Sequence, residues 1–134
     1  MKAFIERHEA RLSHIFAPCE LAYSQGKKTP YPHLAVRFAA KEAFFKALGT
    51  GWSLGLRWPE VAVESSSSGQ PQIVLSGKAQ LLAENLRVFE IHVSLSHTRD
   101  LATAQVVLES QLPRPMTQKH PVATADGIVY SAAE

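Results

Sequence analysis

Residues 33–51 constrain the fold more than any other stretch: His33-Leu-Ala-Val-Arg37-Phe-Ala-Ala-Lys41-Glu42-Ala-Phe-Phe-Lys46-Ala-Leu-Gly49-Thr-Gly51. Pro30 and Pro32 precede the run and Gly49 closes it, so it reads as a helix over 33–48 with its start and stop marked. At about 100° per residue, Leu34, Phe38, Phe45 and Leu48 share one face. Val36, Ala40, Ala43 and Ala47 make a second, small-residue face roughly opposite. A helix apolar on two sides has to be covered on two sides. Two narrow polar stripes remain, one with Arg37 and Lys41, the other with Glu42 and Lys46 one turn apart. Two readings of the second stripe stand side by side. Glu at i with Lys at i+4 is the favoured surface ion pair, worth about 0.2–0.5 kcal/mol. Alternatively, Glu42 is an oxygen ligand for a hard cation, and Lys46 and Arg37 neutralise phosphates.

At 134 residues the chain suits one domain with a real core. A net charge of +2 gives no electrostatic footprint for nucleic acid. Cys19 is the single cysteine and cannot form an internal disulfide, which suits a reducing, cytoplasmic setting. No apolar run approaches the ~18 residues of a membrane span. Met1-Lys-Ala-Phe-Ile is followed at once by Glu6, Arg7 and His8, which is not the pattern of a signal peptide.

Along the chain, Phe4, His8, Leu12 and Ile15 recur at helical spacing, so residues 2–16 read as a helix. Arg7 and Arg11 form a basic edge on it, either a solvated face or a docking edge for an acidic partner. Residues 17–24 read as a short helix, with Pro18 in its first turn and Glu20 suited to the helix dipole. Ala17 is a poor N-cap. Val61–Val63 and Pro71–Leu75 form a hairpin around the turn Ser65–Gly69, and residues 77–86 read as a helix. Residues 89–96 alternate, with Ile91, Val93 and Leu95 on one side and His92, Ser94 and Ser96 on the other. They turn at Thr98–Asp100 into a strand over 101–108. His97 therefore sits at a hairpin mouth, either as a hydrogen-bonded structural residue or as a phosphate or proton-transfer group. Pro113, Pro115 and Pro121 mark residues 111–134 as a flexible tail, with Gly127–Tyr130 a candidate late strand.

There is no P-loop and no dinucleotide fingerprint. The histidines and the cysteine lack zinc spacing, and no serine sits in a nucleophile elbow. Ser96 and His97 are adjacent on a strand, so they point to opposite faces and do not pair as nucleophile and base.

Three segments taken together resemble one family: Arg37 to Gly51, Gly69-Gln70-Pro71 in its hairpin, and His92-Val-Ser-Leu-Ser96-His97-Thr98. Order and spacing agree from about residue 4 to residue 109, and Phe16-Ala-Pro-Cys-Glu20-Leu21 fits the same pattern. The chain resembles the short-type 4′-phosphopantetheinyl transferases, the holo-[acyl-carrier-protein] synthases. The resemblance implies an α+β fold, a small antiparallel sheet packed around the long helix. It implies transfer of the phosphopantetheine arm of coenzyme A to a serine of apo acyl carrier protein, releasing 3′,5′-ADP, with Mg²⁺ and a homotrimer whose sites lie between subunits. It implies Glu42 as metal ligand and Glu42 and Lys46 as catalytic residues. Arg37, Lys46, His97 and Thr98 are implied as coenzyme A contacts, and Arg7, Arg11 and Leu12 as the carrier-protein edge. No nucleic acid and no membrane are expected as partners. The alternative is an inactive relative that binds carrier protein without transferring anything.

One departure bears on that alternative. The family begins with a strand of the type Gly-x-Gly-x-Asp, whose aspartate is the second metal carboxylate, and Met1 here falls within the first helix. Three explanations stand side by side: a start that lies upstream, an inactive chain, or Asp126-Gly-Ile-Val-Tyr130 in the strand position. Gln70 also stands where the family often has lysine.

Overall fold

A computed structural model describes residues 10–49 and 55–111, and the backbone of 122–124 and 127–133. Residues 10–12 are helical and 13–15 form a turn. The rest of the first expected helix, with Arg7, lies outside the described residues. Helix α1 spans Pro18–Gln25, as the proline in its first turn predicts. Ala17, its N-cap, offers no side-chain hydrogen bond. Glu20 substitutes for it, its Oε2 accepting from the Ala17 N–H at 2.8 Å.

Helix α2 spans Pro30–Leu48, three residues earlier than the spacing suggested. Both prolines lie inside the first turn, where their missing N–H has no intrahelical partner to lose. Gly49 ends the helix with φ +82°, and its N–H bonds the carbonyls of Phe45 and Lys46, the left-handed cap that glycine adopts without strain. Both apolar faces are covered. Leu34, Phe45 and Leu48 are buried on one, and Val36, Ala40, Ala43 and Ala47 on the other. Phe38 is half-buried and stacks on Trp58, which also meets Phe45 edge-on. Each fully buried large apolar side chain contributes about 1.5–3 kcal/mol, so this helix carries much of the core.

A 3₁₀ turn, Trp58–Glu60, leads into β1 (Val61–Ser65), which pairs antiparallel with β2 (Pro71–Leu75). Helix α3 spans Gly77–Asn85, and Glu60 reaches across to accept from the Ala79 N–H at 3.2 Å. A Cβ on Gly77 would stand 2.5 Å from that same carboxylate. Strands β3 (Val88–His97) and β4 (Ala102–Ser110) form the predicted hairpin, in register from His97↔Ala102 to Glu90↔Glu109, with a shift by one residue before the last pair, Val88↔Ser110. Ile91, Val93 and Leu95 pack on the core beneath them while His92, Ser94 and Ser96 stay exposed. Within the segment expected as a tail, β5 (Val122–Thr124) and β6 (Gly127–Ala133) extend this sheet in the order β3-β4-β6-β5. The anticipated late strand is β6, lying antiparallel along β4. Helix α2 packs mainly on β4 and also meets β3, β6, β1 and α1. The architecture is α+β, with one long helix between the four-stranded sheet and the smaller elements.

Candidate active site

The polar residues of α2 separate into groups that the sequence alone could not tell apart. Lys41 is fully buried. Its ammonium donates to Glu20 Oε2 at 2.7 Å, to the Val61 carbonyl at 2.7 Å and to the Trp58 carbonyl at 3.1 Å. Glu20 is equally buried, and its Oε1 accepts from the Val63 N–H at 2.9 Å. Burial lowers the Lys41 pKa below its ordinary value, and Glu20 only partly offsets this. Every donor of the ammonium is used, so this pair clamps α1, α2, β1 and the 3₁₀ turn together and offers nothing to a ligand. The sequence reading placed Lys41 on a polar stripe and gave Glu20 a dipole role. The missed signal was the aromatic company of Lys41, with Phe38, Phe44 and Phe45 within one turn.

Arg37, one turn earlier, is also buried but unsatisfied. One guanidinium nitrogen donates to the His33 carbonyl at 3.2 Å, while the buried Nε has no hydrogen-bond partner among the described residues. The guanidinium carbon lies 4.2 Å from the ring centroid of Tyr23 on α1, and Lys27 Nζ lies 4.5 Å from the same centroid. His33 meets Tyr23 edge-on at 5.8 Å and His97, at the end of β3, at 5.3 Å. Partial burial, then the positive fields of His97, Arg37 and Lys27, lower the His33 pKa. Partial burial raises the Tyr23 phenol, but Lys27, Ser65 and Arg37 outweigh it and the net direction is down. The two shifts share a part: the positive charges of Lys27 and Arg37 act on both groups, added to burial at His33 and opposing it at Tyr23.

His97 also lines a groove of about 670 Å³ between the first turn of α2 and the β3–β4 turn, with Thr29, Tyr31, Pro32 and Thr98 among its walls. Thr98 shapes that turn, its hydroxyl accepting from the Leu101 N–H at 3.1 Å and its own N–H bonding the Leu101 carbonyl at 2.7 Å. The fold therefore links Arg37 to His97 and Thr98, which lie up to 61 positions apart, through Tyr23 and His33, which with Lys27 sequence reasoning passed over. Glu42 is half-buried beside the clamp, with no hydrogen bond or ion pair to another described residue. Lys46 is exposed one turn further on. Arg11 is exposed and Leu12 half-buried at the helix end before α1. Among the described residues no group of three or more His, Cys, Asp or Glu could hold a metal, and Asp126 lies outside them.

The family model of the 4′-phosphopantetheinyl transferase superfamily matches residues 2–107. A holo-[acyl-carrier-protein] synthase of Syntrophotalea carbinolica is 47% identical over 100 residues, covering 75% of this chain and 78% of the relative. The chain belongs to the 4′-phosphopantetheinyl transferase superfamily. It is an enzyme of the holo-[acyl-carrier-protein] synthase type. A further synthase of this type, from Trichlorobacter lovleyi, is 46% identical over 105 residues, 78% of this chain and 83% of that one. Among solved structures, the holo-[acyl-carrier-protein] synthase of Neisseria meningitidis has a TM-score of 0.70 at 29% identity, over 81% of this chain and 90% of that one. The Chronobacterium ammoniagenes synthase in complex with CoA has a TM-score of 0.68 at 30% identity, over 75% and 82%. The α+β fold expected from the resemblance is thus the fold of the synthases.

Proposed function

We propose that this chain transfers the 4′-phosphopantetheine arm of coenzyme A to a serine of apo acyl carrier protein, releasing 3′,5′-ADP in a Mg²⁺-dependent reaction. The observation that carries the reading is the pair of cations Arg37 and Lys27, without an ion-pair partner among the described residues, which meet on Tyr23 and lead through His33 to His97 on the wall of a groove that Arg99 and Asp100 also line. It matches an anionic nucleotide better than a neutral ligand. In this reading Arg37, His97 and Thr98 hold the nucleotide end, and Lys46 lies with the pyrophosphate. Glu42 would hold the metal. A single half-buried carboxylate without a partner among the described residues fits, because Mg²⁺ takes one or two carboxylates and fills its remaining positions with water and substrate phosphate. When bound, Mg²⁺ supplies positive charge to the pyrophosphate.

The reaction needs three things from the chain. The serine oxygen forms a bond to phosphorus as the phosphoanhydride bond breaks, and negative charge develops on the departing phosphate of 3′,5′-ADP. The Lys46 ammonium stabilises that charge where it appears. The serine proton has to leave, and the Glu42 carboxylate, or a water it orients, accepts it. The carrier protein is acidic, and Arg11 with Leu12 beside it, together with Arg7, gives a basic and apolar edge on which it docks. The assembly expected is a homotrimer in the cytoplasm, with no nucleic-acid or membrane partner. No helix among the described residues is long and apolar enough to cross a membrane.

Incubation with apo carrier protein, CoA and Mg²⁺ should add one phosphopantetheine arm to the carrier, read by mass spectrometry. Carrier binding without that mass gain would instead support the non-transferring alternative.

A further inference from the structure

The clamp of Glu20 and Lys41 lies next to Glu42 in the chain, yet neither of its side chains is open to a ligand. Its hydrogen bonds reach the backbone at Ala17, Trp58, Val61 and Val63, so one ion pair ties α2 to α1, to the 3₁₀ turn and to β1. Fold stability alone does not call for such a pair, because a well-packed apolar pair of similar volume is often neutral or stabilising in its place. What the ion pair adds is direction. Apolar burial is non-directional, whereas an ammonium held by a carboxylate and two carbonyls has one good orientation. The lysine stem has little freedom to absorb a rotation of the helix. It is fully buried, and its ammonium also stands 5.6 Å from the Phe16 ring centroid.

Direction matters most at this level of α2, where the packing is made of small side chains. Ala39 and Ala40 are buried in one cluster with Val63 and Ala104, and Ala43 is fully buried one turn on. Methyl groups make shallow ridges, which bring the helix close without locking its rotation. A side-chain tip stands about 5–6 Å from the helix axis, so a rotation of about 10° moves it by about 1 Å. A misplacement of that size at a reacting group costs about 10²-fold in rate. Glu42 is half-buried and has no polar contact with another described residue, so no local bond corrects its direction.

We infer that Glu20 and Lys41 are positioning residues of the transfer site: their clamp fixes the rotation of α2 about its own axis and thereby the direction in which Glu42 is presented. This rests on the function proposed above.

Two measurements on the full chain test it, both made well below the melting temperature of each variant. Transfer is followed with apo carrier protein, CoA and Mg²⁺, and the Kd of Mn²⁺ is read by electron paramagnetic resonance in the presence of CoA. Glu20→Leu/Lys41→Met removes the directional contacts and keeps most of the volume. Glu20→Gln/Lys41→Met does the same and leaves an amide oxygen for one of the two backbone N–H groups. Each should retain most of the wild-type stability, lower kcat about 10²-fold and weaken Mn²⁺ binding about tenfold. The KM for carrier protein should change little. Leu82→Ala, a core substitution on α3, which the clamp does not reach, should lose stability and keep both kcat and the Mn²⁺ Kd. Folded double variants with wild-type kcat and Mn²⁺ affinity overturn the inference. So does a Leu82→Ala variant as defective in both as the double variants, because loss of stability alone would then explain the effect. Double variants that do not fold overturn it too, since the pair would then be a requirement of the fold. Wild-type protein without Mg²⁺-dependent transfer overturns this inference and the transferase reading together. Wild-type transfer with unaffected double variants overturns this inference alone.

Discussion

Two positively charged side chains one turn apart on α2 are equally hidden and oppositely employed. Around Lys41 every polar atom is answered: the ammonium has a carboxylate and two carbonyls, and the carboxylate has two backbone N–H groups. Around Arg37 the answers are incomplete, and aromatic rings stand where a carboxylate would. Burial alone therefore does not separate a structural cation from a binding one. The state of its partners does, because a saturated charge has no free energy left to give a ligand and an unsaturated one does.

Variants can break this comparison, beginning where the largest effect is expected. Glu20→Ala should destabilise the fold by about 3–5 kcal/mol in denaturant melts, since it leaves Lys41 charged and unpaired in the core. The double replacement Glu20→Leu/Lys41→Met should recover most of that loss, and a double-mutant cycle would show strong coupling. If Glu20→Ala costs only a few tenths of a kcal/mol, the clamp is not what holds these four elements.

Glu42→Ala should behave in the opposite way, with transfer lowered roughly 10²–10³-fold or more and the melt nearly unchanged. A small stability loss with transfer intact would restore the surface ion-pair reading. Arg37→Met should raise the Kd for CoA by about one to two orders of magnitude, the size of a lost charged hydrogen bond, with a lesser effect on folding. Arg11→Glu should weaken carrier-protein binding, mainly through the association rate, and the difference should shrink with added salt.

The smallest effect concerns pH. Burial, then the charges of His97, Arg37 and Lys27, hold the folded-state pKa of His33 below its ordinary 6.5. On acidification the unfolded chain takes up that proton first. The contribution is thus fully present above about 6.5 and is lost as pH falls through the lower, folded-state value. His33→Phe should flatten that part of the pH–stability profile, and an unchanged slope would show that neither burial nor the neighbouring charges shift His33 on folding.

Much of the frame was legible in the residues. Spacing alone located the long helix and both of its covered faces, and alternation located β3 with its buried and exposed sides correctly assigned. The start of α2 was misplaced by three residues because prolines that often precede a helix here form its first turn. The second apolar partner of Phe38 and Phe45 was not readable, since Trp58 reaches them only after the chain has reversed.

The site was legible in pieces. Arg37 and His97 stood out from their motifs, whereas Tyr23, Lys27 and His33 carry no local pattern and acquire meaning only by meeting. The opening stripe of Arg37 and Lys41 shows where the division falls. Periodicity determined that both side chains leave the helix in nearly the same direction, because that depends only on the 3.6-residue turn. Their fates were decided by which elements arrive from elsewhere. Glu20, Trp58 and Val61 close on Lys41, while Tyr23, His33 and the end of β3 gather around Arg37 and leave it open. A linear sequence encodes the direction of a charge, but its saturation depends on partners up to dozens of residues distant, and those are supplied only by the packed chain.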